Sequence, residues 1–129
     1  MTTRTENILK QFHLETMTWL RSLDFYKQEN SQLMNRLTEV VDGTADRDFL
    51  AQAEHFQNQF IIKDEFMDIL RHDINEQEKR LDERQRIKAY SPDGVLESGQ
   101  IGLRDQMAYL EKDFTELRDD FNRYLVVKH

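Results

Sequence analysis

At 129 residues with no cysteine and one proline, the chain has the length of a single domain, spanning 1–129, and excludes disulfides and thiolate metal sites. Its net charge of −7 would repel a phosphate backbone, which sets nucleic acid aside as a partner. No run approaches eighteen consecutive apolar residues and the first twenty residues are charged throughout, so neither a membrane span nor a signal peptide is expected. The absence of cysteine fits a reducing, cytoplasmic setting.

The first predicted helix opens at Thr3-Arg4-Thr5-Glu6, a capping box in which Thr3 caps and Glu6 reaches back. It runs over about 4–41 on a stripe of alternating three- and four-residue steps: Leu9, Phe12, Thr16, Trp19, Leu23, Tyr26, Asn30, Leu33, Leu37 and Val40. Asp42-Gly43 stops it, with Gly43 expected in the left-handed conformation, and Thr44 or Asp46 caps the next helix. So short a connection folds the second helix back antiparallel.

The second helix, over about 46–90, carries Phe49, Ala53, Phe56, Phe60, Lys63, Met67, Leu70, Ile74, Gln77 and Leu81, and its stripe weakens after Ile74. Ser91-Pro92-Asp93-Gly94 reads as a turn in which Pro presets φ and Gly permits a positive φ. With Gly99 and Gly102 close behind, about ten residues of irregular loop are expected here. The third helix follows over about 101–127, on Leu103, Met107, Leu110, Phe114, Leu117, Phe121 and Tyr124. The fold class is therefore all-α: an elongated three-helix, up-down-up bundle built on a long, coiled-coil-like antiparallel hairpin.

Folding at residues 43–44 sets residue x of the first helix level with about residue 87 − x of the second. A tight second turn would lay the short third helix along about 65–89. The hairpin tip would then be a two-helix stalk, unless the third helix slides toward it or another molecule covers it. Of the polar residues in the stripes, Lys63 and Gln77 are expected at a seam edge with their heads in water. Asn30 stays open between that reading and a buried, register-fixing one. Trp19 is expected in the core.

Few residues suggest chemistry. His13 and His72 come level, with Asp68 a turn before His72, but their side chains should diverge; His55 and terminal His129 stand apart. The Glu-x-x-His pairs of a di-iron bundle are missing, and the carboxylates of the third helix avoid the seam. The basic run Lys79, Arg80, Arg84, Arg86 and Lys88 is interrupted by acids. No catalytic residue, cofactor or metal site is therefore expected, and the chain is not read as an enzyme.

One feature points outward. Leu14, Met17 and Phe25 lie opposite the main stripe of the first helix, and Ile62, Phe66 and Ile69 opposite that of the second. The level rule gathers them into one belt, which predicts an interface. The expected function is a small soluble helical interaction or scaffold module, a homodimer about a two-fold axis or a partner of another helical protein. Two alternatives are a bundle that binds a metal or small ligand, and an adaptor using the acidic face of the third helix.

Overall fold

A computed structural model describes residues 3–87 and 94–128. Three helices follow in order: α1 (Arg4–Asp42), α2 (Arg47–Ile87) and α3 (Val95–Lys128). Ser91-Pro92-Asp93, the end of the second helix expected to reach residue 90, and His129 lie outside the described residues.

The capping box at Thr3 forms as the sequence predicts: Glu6 N donates to Thr3 Oγ1 at 3.1 Å, and Thr3 N donates to Glu6 Oε2 at 3.4 Å. Gly43 differs from expectation. It closes α1 at φ −95 and ψ 7, not in the left-handed region. The corner is held instead by Thr44 N donating to the Val41 carbonyl and by Asp46, whose Oδ1 accepts from Asp48 N at 2.9 Å and Phe49 N at 3.2 Å. Asp46 is thus the N-cap of α2, placing a negative charge at the positive end of the helix dipole. Gly94 does have positive φ (65) as α3 begins.

α3 starts at Val95, about two turns before the expected start near 101. Gly99 and Gly102 lie inside the helix. Each helical glycine costs about 1 kcal/mol against alanine, which is why they read as loop. Burial overrides that cost: Leu96, Gln100, Leu103 and Met107 share one face and are all buried. α3 also stands further toward the hairpin tip than a tight second turn would set it, with Gln100 at Gln77 and Tyr124 at Phe49; of the alternatives, the slide of the third helix is the one observed, and the tip has a three-helix cross-section instead of a two-helix stalk. There Phe49, Phe60, Phe121, Tyr124 and Leu125 form one cluster with Leu37, and Tyr124 Oη donates to the Phe49 carbonyl at 2.7 Å.

The core has three parts. The tip cluster is aromatic: Phe60 and Phe121 meet edge to face with centroids 5.1 Å apart, and Phe49 stacks on Tyr124 at 4.9 Å. Each fully buried ring contributes about 2–3 kcal/mol by leaving water. The middle holds Trp19, Leu23, Met67, Leu70, Ile74, Met107, Leu110 and Phe114, so Trp19 is core as expected. The end remote from the tip has only Leu9, Leu81 and Leu96, with Phe12 beside them.

The register of α1 on α2 also shifts. Asp24 meets Arg71, Lys27 meets Asp64 and Asp68, and Asn30 meets Phe60. Residues of α1 are level with partners one to two turns further along α2 than the 87 − x rule expects. Among the described residues, no helix is long and apolar enough to cross a membrane.

Candidate interaction surface

The polar residues of the seams are buried and bonded. Asn30 Nδ2 donates to the Phe60 carbonyl at 3.0 Å, settling its open reading in favour of burial. Gln77 was expected at a wet edge; it is instead buried, with Nε2 donating to the Leu96 carbonyl at 2.9 Å and to Gln100 Oε1 at 3.2 Å. Gln100 in turn donates to Glu15 Oε1 at 2.8 Å. The reason is Gly99: a Cβ there would lie 2.9 Å from Gln77 Oε1, so the bare backbone of α3 admits the amide to the seam. Lys63 is corrected likewise. Its stem packs in the seam and its ammonium meets Asp113 of α3, not water. A buried cation stripped of its partner would be strongly destabilising.

Around this seam, ion pairs cross the bundle. Lys27 Nζ reaches Asp64 at 2.8 Å and Asp68 at 2.6 Å, Arg104 reaches Glu15 at 2.8 Å, and Arg118 reaches Glu29 at 2.9 Å. The hydrogen bond from Arg104 holds the Glu15 carboxyl below its ordinary value, against the opposing pull of burial. Burial works against the charge on Lys27, but its bonds to Asp64 and Asp68 prevail and raise its pKa. Burial raises Tyr26, with Glu111 adding to the effect.

His13 engages Glu78 rather than His72, and Thr16 Oγ1 lies 2.5 Å from Glu78 Oε2. A histidine, a carboxylate and a hydroxyl in series suggest a nucleophile. Thr16 is fully buried, however, and its hydroxyl also lies 2.8 Å from the His13 carbonyl. A hydroxyl so enclosed ties α1 to α2; a substrate has no path to it. Among the described residues, no group of three or more His, Cys, Asp or Glu is placed to hold a metal ion. An open groove of about 420 Å³ lies between α1 and α2 near the tip, lined by Met34, Leu37, Val41, Leu50 and Ala53 among others.

The six residues expected at an interface divide. Leu14 (65% exposed), Phe25 (60%), Ile62 (50%) and Ile69 (62%) face water, while Met17 and Phe66 are half-buried. Phe66 packs against the central core, and its ring meets Tyr109 of α3 edge to face at 6.0 Å. Tyr109, itself 58% exposed, extends this apolar surface onto α3. It escaped the sequence reading because it falls outside the third stripe, next to Leu110. The observed register also staggers the belt. Phe25, next to Asp24, comes level with Ile69, whereas Leu14 lies beside the height of Glu78, about two and a half turns from Ile69. The four exposed residues therefore occupy the outer faces of two helices rather than one ring, and Met17 and Phe66 lie partly beneath them.

Leu14 and Phe25 on α1 and Ile62 and Ile69 on α2 are thus large apolar side chains left open to water. Compared with models of protein families, with curated proteins and with solved structures, the chain matches none at a significant level.

Proposed function

We propose that this chain is a small, soluble, non-catalytic helical interaction module of the cytoplasm that associates with itself, the smallest assembly being a homodimer. The observation that carries the reading is the exposure of Leu14, Phe25, Ile62 and Ile69 on outward helix faces while the seams between the helices are filled. Isolated apolar side chains on a surface are ordinary. Pairs at helical spacing on two helices, each within reach of one partner helix, form the rows that helix-in-groove contacts use.

Light scattering across a concentration series tests this reading. The expected result is a mass rising above the 15.6 kDa of one chain; a constant monomer mass up to millimolar concentration would overturn it. Phe25→Asp and Ile69→Asp are the informative variants, since both side chains are largely exposed and their loss leaves the core intact. Phe66→Asp, the natural choice from sequence, is confounded by the contacts of Phe66 with the core and Tyr109.

The second reading, small-ligand binding, draws on the groove at Met34, Leu37 and Leu50, whose volume lies within the range of ligand sites. A rise in melting temperature with an apolar probe such as anilinonaphthalene sulfonate, lost in Leu50→Glu, would support it.

A further inference from the structure

The two outward faces differ in charge as well as position. On α1, the row of three- and four-residue steps from Lys10 through Leu14, Arg21 and Phe25 to Gln32 is exposed throughout and contains no acidic residue, in a chain of net charge −7. The corresponding row on α2, from Asn58 through Ile62, Glu65 and Ile69 to Glu76, contains no lysine or arginine. Among the described residues, Lys10 and Arg21 take no part in the cross-bundle ion pairs, which use Lys27, Lys63, Arg71, Arg104 and Arg118 instead. Glu65 is likewise outside them. Glu76 lies 3.1 Å from Lys79 of the next turn, an exposed pair that a competing cation can replace.

The order of residues along the two rows is complementary when one is reversed. Read from its N-terminal end, the α1 row runs cation, apolar, cation, apolar: Lys10, Leu14, Arg21, Phe25. Read from its C-terminal end, the α2 row runs anion, apolar, anion, apolar: Glu76, Ile69, Glu65, Ile62. From the first to the last of these four residues, each row spans about 21–23 Å at 1.5 Å per residue. Laid antiparallel, Lys10 falls opposite Glu76, Arg21 opposite Glu65 and Phe25 opposite Ile62 within about one residue's rise, with Leu14 about 4.5 Å from the height of Ile69. Laid parallel, Lys10, Leu14 and Arg21 can meet Glu65, Ile69 and Glu76, but Phe25 then falls against Arg80 and Ile62 is left without a partner, so only the antiparallel arrangement engages all four residues of each row.

We propose that the outer face of α1 in one copy docks antiparallel on the outer face of α2 in a second copy. This rests on the self-association proposed above and specifies its surfaces and symmetry. The two rows lie on different helices, each facing away from the core, so using one leaves the other free. The contact is heterologous: every copy offers both faces, and assembly proceeds head to tail instead of closing about a two-fold axis.

Mixing two blocked chains tests this with full-length protein. Phe25→Asp disables the α1 row and Ile69→Asp the α2 row; each substitution weakens association by about tenfold or more. Circular dichroism is expected to show unchanged helicity in both. Each variant alone stays at 15.6 kDa, whereas an equimolar mixture, which retains one good α1 row and one good α2 row, yields a particle of twice that mass and nothing larger. Arg21→Glu alone is expected to weaken wild-type association about tenfold, and Arg21→Glu with Glu65→Arg in the same chain to restore it.

A wild-type chain that associates while the mixture remains monomeric overturns the α1-on-α2 contact and leaves self-association standing. Either blocked variant still dimerising on its own shows a two-fold contact and also overturns the pairing. A wild-type chain that is monomeric at every concentration overturns both proposals and leaves a different protein as the occupant of these faces.

Discussion

At the hairpin tip, Phe49, Phe56, Phe60, Phe121 and Tyr124 pack ring against ring. Toward the opposite end, Thr16, Gln77 and Gln100 occupy the core, bonded to Glu15, Glu78 and the carbonyls of His13, Phe12 and Leu96. Apolar contact is strong but tolerant of sliding, because one methyl or ring edge serves nearly as well as another. Buried amides and hydroxyls contribute less net energy, but a slip leaves each without its partner, at about 1–3 kcal/mol per group. The tip therefore supplies much of the stability, and the polar layer fixes which residues of the three helices stand level.

The largest test of this division is Phe60→Ala, which empties a fully buried site in the aromatic cluster. A loss of about 3–5 kcal/mol in denaturant unfolding is expected, with the helical register unchanged. Gln77→Ala at the other end is expected to cost about 2 kcal/mol and to leave Gln100 short of a partner. Spin labels at Arg21 and Arg80 should then report a broadened interhelical distance, which Phe60→Ala should not produce. A Gln77→Ala variant with a single sharp distance would show that the polar layer does not set the register.

Smaller effects sharpen the contrast within α3. A Cβ at Gly102 meets nothing within 4 Å, so Gly102→Ala is expected to stabilise the chain by about 1 kcal/mol. Gly99→Ala gains the same helix propensity but displaces the Gln77 amide, and thermal melts should show it below Gly102→Ala. The smallest expected effect is on pH. Because Arg104 lowers the Glu15 pKa in the folded chain, the pair's stabilisation is complete above the ordinary carboxylate value of 4.5 and is lost as pH falls through the lower, folded value. Exposed to solvent on its Arg104 side, the pair contributes little. Amide protection factors, which are corrected for the intrinsic exchange rate at each pH, should fall at the polar end before they fall at the tip as pH is lowered, and Glu15→Gln should flatten the difference.

The helices, their order and the cap at Thr3 were legible because apolar period and capping chemistry act locally. The start of α3 was not, because Gly99 and Gly102 have low helix propensity and only the fit of Gln77 against α3 explains a glycine at 99. Gln77 and Lys63 read from sequence as water-facing for a related reason: their partners, Leu96, Gln100 and Asp113, belong to another helix whose register the sequence leaves free. The outward positions of Leu14, Phe25, Ile62 and Ile69 followed from angle alone. Their stagger did not, since it depends on how far α2 slides along α1.

The hydroxyl of Tyr124 on the Phe49 carbonyl joins groups 75 residues apart in sequence. Through it, the closing turns of α3 act as a latch on the corner where α1 gives way to α2. Trimming the chain before Tyr124, or straining those turns with a rigidly fused tag, will loosen a bend about a third of the way along the sequence. A label intended to leave the bundle undisturbed is therefore better attached through a flexible spacer.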